Sequence, residues 1–216
     1  MKEAEKTAGL VWKRGEKTMT LGGEPVLELS LTWPEPEGRG FGRVKGYYRR
    51  LSRAWEARWK RETYWSACAD LALKREASRP FSRWKCELSG AVRLEDDKFL
   101  SVVMMAREVQ GDGRALEYRW GDTWRREDGC PVALRELFPN RKGWRREVLK
   151  RAEEAAIQAQ EQGLYLEPGW ERELRTWFSP SRFALAEGAV LLFYPQCTLA
   201  AAVEGAVTLT IPLDQT

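Results

Sequence analysis

Histidine is absent from this sequence of 216 residues. Its absence removes the commonest general base and the usual partner of a nucleophilic serine or cysteine, leaving acid–base chemistry to carboxylate pairs, lysine and tyrosine. Among the 32 acidic residues no pair stands apart. The four cysteines, Cys68, Cys86, Cys130 and Cys197, are scattered. Zinc sites are usually built from close ligand pairs, so the sequence predicts buried free thiols, with no metal and no cofactor. Gly38-Arg39-Gly40-Phe41-Gly42 lacks the lysine and following hydroxyl of a phosphate-binding loop. No stretch approaches the ~18 apolar residues of a membrane span, and there is no repeat and no low-complexity linker.

What is present is a globular composition. The chain is 43% hydrophobic and 31% charged, with 36 basic and 32 acidic side chains giving a net charge of +4. The charges are interspersed, which favours solubility over the one-signed patch of a nucleic-acid footprint. Eleven tryptophans are unusual. Each large aromatic buries about 150–250 Å², so most are expected in the core. The opening Met1-Lys2-Glu3-Ala4-Glu5-Lys6 is charged where a secretory signal needs apolar residues. The chain as given is therefore expected to be cytoplasmic and not inserted in a membrane, or extracellular if it is a trimmed ectodomain.

Along the chain, Leu27, Leu29, Leu31 and Trp33 alternate with Glu28, Ser30 and Thr32, the period of a half-buried strand that Pro34 and Pro36 are expected to end. From Val44 to Glu76 the period changes: Val44, Tyr48, Leu51, Trp55, Trp59, Cys68 and Leu71 share one face of a long helix. Three strands follow, near Trp84–Leu94, Phe99–Glu108 and Ala115–Trp124. Glu95-Asp96-Asp97-Lys98 and Gln110-Gly111-Asp112-Gly113 have hairpin-turn chemistry between them, so the acids there read as turn formers. A helix is predicted from Trp144 to about Gln160, stopped by Gly163, and a third opens with Pro168 in its first turn and buries Trp170, Leu174, Trp177 and Phe178. Strands at Phe183–Leu185, Val190–Tyr194 and Val207–Leu213 close the chain. The expected architecture is α+β, an antiparallel β-sheet packed against one long and two shorter helices. It forms a single domain, 1–216, in which 1–120 holds the first strand, long helix and hairpins and 121–216 the rest.

In the C-terminal half, Trp124, Gly129, Pro131, Leu134 and Leu137-Phe138 follow in order. Phe183-Ala184-Leu185 then leads through Gly188 to Leu192-Phe193-Tyr194-Pro195, and an Ala-rich loop leads to Gly205 and Val207–Pro212. This order of motifs resembles the extracellular domain of the RsiV anti-sigma factor family. The resemblance covers roughly the last 95 residues and implies helices against an antiparallel sheet, in a family whose function is largely unknown. Its members occur as sensors that bind lysozyme, beside cell-wall polysaccharide deacetylases, and as secreted mycobacterial antigens. This chain departs from the pattern in having no transmembrane helix. Its loop after the Phe-Tyr-Pro element reads Gln196-Cys197-Thr198-Leu199-Ala200-Ala201-Ala202-Val203-Glu204, where many members carry tyrosines, so lysozyme recognition is not carried over.

These readings predict a protein-binding or ligand-sensing module without catalysis, whose partner is an unknown protein or a cell-wall-related ligand. Two places are candidate binding sites. One is Phe41, Tyr47 and Tyr48 at the entry to the long helix, where aromatics and glycines sit together; the other is Tyr194, Pro195, Gln196 and Cys197, opening the Pro195–Gly205 connection between strands. The alternative is nucleic-acid binding through Arg49, Arg50, Arg53, Arg58 and Arg61, since arginine pairs with phosphate and tryptophan stacks on bases.

Overall fold

The computed structural model describes residues 6–7, 9–38, 40–138 and 142–213. Met1 to Glu5 of the charged start and Arg39 of the glycine-rich piece lie outside the described residues. The chain divides into two compact units: residues up to Gly90 with Met105–Leu116, and Ala91–Met104 with the residues from Glu117 onward. Among the described residues no helix is long and apolar enough to cross a membrane.

The first unit begins with β1 (Lys6–Thr7), β2 (Leu10–Leu21) and β3 (Glu24–Pro36). Gly22 and Gly23 join β2 to β3 with φ of 58° and 86°. The favoured two-residue hairpin turn needs φ above zero at both positions, which glycine adopts without strain. Alternation does not reveal β2, because its middle, Lys13, Arg14, Glu16, Lys17 and Thr18, is exposed. Pro34 and Pro36 do not end β3; they pair with Trp12 and Leu10. β4 (Trp84–Glu95) is paired to β3 along Leu27–Leu31. Beyond that length, among the described residues, β3 pairs with β2 alone, so a missing proline N–H breaks no second ladder.

The β3–β4 pair is parallel. That corrects the expectation of a wholly antiparallel sheet, and the physical reason is the connection: parallel neighbours need a long crossover, which the helix supplies. It runs as α1 (Gly42–Arg58), a π-helical stretch (Trp59–Thr63) and α2 (Tyr64–Glu76). Its buried track is Val44, Tyr48, Ser52, Trp59, Thr63, Ala67, Cys68 and Leu71. Leu51 and Trp55, expected on that face, are half-buried. A spacing of four drifts around a helix of 3.6 residues per turn, and the wider π turn restores the phase so that Trp59, Thr63, Ala67 and Leu71 stay inside.

At that π turn sits Glu108, on β5 (Phe99–Val109) and only 8% exposed. Trp59 Nε1 donates to it at 3.1 Å, Thr63 Oγ1 at 3.5 Å, and an Arg58 nitrogen lies 3.5 Å away. Burial first, then the Glu108 charge, push the nearby Cys86 thiol up to about 12, so it is no nucleophile at neutral pH. Glu35 is a second buried carboxylate of the unit, 4% exposed and paired with Arg49 and Lys45. The Arg49 hydrogen bond holds its carboxyl down from 4.5 to about 2, with Lys45 assisting and burial opposing. The lowered value means that this stabilisation is fully present above the ordinary carboxylate range and is lost as pH falls toward 2. Glu35→Gln is expected to flatten the fall in the urea midpoint between pH 4.5 and 2; an unchanged slope would show that the pair contributes nothing.

In the second unit, β7 (Phe183–Ala186), β8 (Ala189–Tyr194) and β9 (Val207–Pro212) form an antiparallel sheet in that order. Against it pack α3 (Trp144–Glu161), through Val148, Ala152 and Ala156, and α4 (Trp170–Trp177), through Trp170 and Leu174. The unit also takes in the Ala91–Glu95 end of β4, Phe99–Met104 of β5 and most of β6 (Ala115–Arg125). Gly163, at φ 102°, ends α3: its N–H reaches the Gln160 carbonyl and the Leu164 N–H the Ala159 carbonyl, the paired closure that a left-handed residue permits. Pro168 precedes α4 instead of filling its first turn, because Gly169 takes the cap position at φ 82°. Trp177 leaves the expected apolar face; it is 43% exposed and donates to Glu173. The two acidic turns behave as read, with Asp96 Oδ1 accepting from the Lys98 and Phe99 N–H groups and Asp112 Oδ1 from that of Arg114. The α+β class, with one long and two shorter helices, is observed.

Candidate functional site

The end of β6 and the chain that returns beside it build a cleft within the second unit. Trp124 bridges to Pro131, the Val132 N–H donates to the Thr123 carbonyl, and the Arg125 N–H donates to the Cys130 carbonyl. Between them a tight turn is closed by Asp128, whose Oδ1 accepts from the Cys130 N–H at 2.9 Å; that bond and the Arg125 guanidinium hold its carboxyl below the usual range. Arg125 reaches Asp128 at 3.2 Å and Glu136 at 2.9 Å, and Glu136 Oε1 accepts from the Ala133 N–H at 3.0 Å. The strap Pro131–Arg135 is thus pinned at both ends.

Gly121, Asp122, Thr123 and Trp124 of β6, this strap, Trp144 at the start of α3, and Pro180, Ser181 and Phe183 enclose a cavity of about 520 Å³. Thr123 contributes its carbon face, because its hydroxyl is 3.0 Å from that of Ser101 and both accept from the Leu185 N–H. Gly121 leaves the backbone of β7 close by: a Cβ there would lie 2.3 Å from the Phe183 carbonyl oxygen. Trp144 packs on Phe178, ring centres 6.3 Å apart, with Arg145 over the Phe178 ring at 5.4 Å. The lining is chiefly aromatic and aliphatic, with Asp122, Ser181 and the exposed Arg135 as its polar members. Among the described residues Arg135 makes no ion pair, so its guanidinium is available at the rim.

The sequence-predicted positions fall elsewhere. Phe41 and Tyr48 are core residues, 5% and 0% exposed, and half-buried Tyr47 packs edge-on against Tyr48 at 5.0 Å. Tyr194 is 2% exposed and its hydroxyl is buried without a hydrogen-bond partner among the described residues, which raises its pKa. Gln196 ties the following loop down, accepting from the Glu117 N–H at 2.8 Å and donating to the Ala202 carbonyl at 2.6 Å. Pro195 is half-buried, while Cys197 is exposed at φ 63°. Cys68 and Cys86 are the buried free thiols expected; Cys130, half-buried just after the Asp128 turn, and Cys197, exposed in a turn, depart from that.

The arginines do not make one open face. Arg49 pairs with Glu35, Arg58 with Glu62 and Glu108, and Arg61 with Glu62, while Arg50 and Arg53 make no ion pair among the described residues. Trp65, at 62%, and Trp177 are the tryptophans left exposed. The cleft has no contiguous signature in the sequence because its members come from four separated segments. The available signal was two tryptophans, Trp124 and Trp144, flanking a short Pro131-Val132-Ala133-Leu134 run with no regular period.

No family model matches the chain, and no curated protein does. Several solved structures do. One, from Pseudomonas aeruginosa, superimposes with a TM-score of 0.60 at 14% identity over 93% of this chain and 89% of its own. Another, from Bacteroides fragilis, gives 0.62 at 11% identity over 94% and 89%. The fold is similar to that of DUF3298-family proteins. At such identities the likeness concerns the fold, and DUF3298 is a domain of unknown function.

Proposed function

We propose that this protein is a non-catalytic, ligand-sensing module of the kind found in RsiV-like proteins, and that its ligand enters the Trp124–Trp144 cleft. The observation that carries the reading is the cavity itself. Its volume falls within the ~300–1,000 Å³ of small-molecule sites, and it has their character: an apolar, aromatic wall with a few placed polar groups. The fitting ligand carries a ring or other flat apolar face against Trp124, Trp144 and Phe183, and a polar edge toward Asp122 and Arg135. Absence of catalysis is supported by the chain having no histidine and by a lining that offers one carboxylate, Asp122, with no second acid or base suited to share a proton.

Ligand-observed NMR with benzoate and benzyl alcohol tests the reading. Both are expected to bind, benzoate more tightly through Arg135. Trp144→Ala should weaken both by about tenfold, the loss of an aromatic stacking partner, and Arg135→Glu should weaken benzoate selectively. Equal binding to wild type and Trp144→Ala would overturn the site, and turnover of cell-wall fragments by the purified chain would overturn its non-catalytic character.

A further inference from the structure

We propose that the first unit holds a second, independent site, which binds an oxyanion group of a small molecule in the cleft between the β2–β3 hairpin and α1. The cleft encloses about 460 Å³. Lys13, Gly15 and Lys17 alternate along β2 and lie opposite Trp33, Leu31 and Leu29. Side chains directly opposite in an antiparallel pair share a face. This face is the one turned to α1, because Leu29 and Leu31 are buried and Glu35, in the same alternation, is held by Lys45 and Arg49 of that helix.

Cations outnumber carboxylates in the lining of this cleft, four to three. Arg49 and Arg53, one helical turn apart, face Lys13 and Lys17 across the cleft. Of the carboxylates there, Glu35 is taken by Lys45 and Arg49, and Glu56 by Lys60, which itself stands beside Lys17. Glu16 also lines the cleft, but it belongs to the opposite alternation of β2, whose side chains leave on the other face. Among the described residues Lys13 and Arg53 make no ion pair. With Glu35 and Glu56 each held by a cation, Lys13, Lys17 and Arg53 are the lining cations left in excess.

The space between the lysines is open because Gly15 has no side chain; an added Cβ there would meet only the Trp33 ring, at 3.7 Å. The result is a donor-rich rim, two ammonium groups and a guanidinium, over an indole. Such a set matches an anion with several acceptor oxygens, since bonds from charged donors to charged oxygens are the strong ones. A phosphate group and a cluster of carboxylates share this chemistry.

The test is titration of the intact chain with pyrophosphate and, separately, citrate at constant ionic strength, followed by heteronuclear NMR. The expected result is saturable binding that shifts the Gly15 amide and the Trp33 indole N–H, with the tighter of the two probes identifying phosphate or carboxylate as the source. Lys13→Glu and Arg53→Glu, both surface changes, should each weaken it by about tenfold or more, the scale of one charge-assisted hydrogen bond. Arg135→Glu, in the other site, should leave it unchanged, so that failure of either site is seen separately. Non-saturating shifts, or equal affinity in folded Lys13→Glu and Arg53→Glu, would overturn the proposal. Binding of an oligonucleotide that pyrophosphate does not displace would overturn it in favour of a nucleic-acid face.

Discussion

Gly121→Ala is expected to lower the stability of the second unit by about 3 kcal/mol, the upper part of the range for overpacking. The new Cβ would stand 2.3 Å from the Phe183 carbonyl oxygen and 2.6 Å from the Ala184 Cβ. Real Cβ atoms essentially never approach closer than 3.0 Å. Neither neighbour is a flexible side-chain end that can swing aside. The next residue of β7, Leu185, is tied through its N–H to Ser101 and Thr123 at 2.8 and 3.2 Å, so the strand cannot retreat without breaking those bonds. Gly42→Ala is the control: it opens α1 and nothing lies within 4 Å of its added Cβ. Urea unfolding should place the Gly121→Ala midpoint far below wild type and leave that of Gly42→Ala unchanged or slightly raised. Equal midpoints would mean that β6 and β7 do not approach as described.

Glu108→Ala is expected to cost about 3–5 kcal/mol, the penalty for removing one partner of a buried charged network. The substitution leaves the Trp59 indole N–H without an acceptor in the interior and takes from Arg58 one of its two carboxylates. Glu108→Gln separates the two contributions. Its amide oxygen still accepts from Trp59, so it should lose less than alanine does. The loss should be read as an unfolding midpoint, together with the circular dichroism of the long helix, because Trp59 and Thr63 are the residues of the π turn that face Glu108. If Glu108→Ala unfolds with the wild-type midpoint, the network does not hold that turn in place.

Much of the fold could be read from the sequence, for physical reasons that differ by element. The long helix, α3 and the final strands bury one face each, and a single buried face imprints a period: Val148, Ala152 and Ala156 on α3, and Val207, Leu209 and Ile211 on β9. β2 could not be read that way, because its middle is exposed on both faces and imprints no period; Gly22-Gly23 at its end was the only local mark. The parallel pairing of β3 with β4 is likewise silent, since register between distant segments leaves no trace in either one alone. The aromatics singled out at Phe41, Tyr48 and Tyr194 proved to be core, as expected where large rings follow a helix or strand period. The Trp124–Trp144 cleft has the opposite character: its residues belong to a strand end, a strap, a helix start and the entry to β7, and only the fold brings them together. The basic cleft lay half in view. Arg49 and Arg53 were visible on the helix, but Lys13 and Lys17 opposite them lie on the strand that the sequence concealed.

The central claim is that the cleft beside Trp124 and Trp144 is where a ligand binds. Soaking crystals of the intact chain with a library of small ring-bearing fragments tests it most directly. The account predicts that fragments collect in this cleft, rings against the two tryptophans and polar ends toward Arg135 or Asp122. A cleft that stays empty while fragments occupy other surfaces would contradict it.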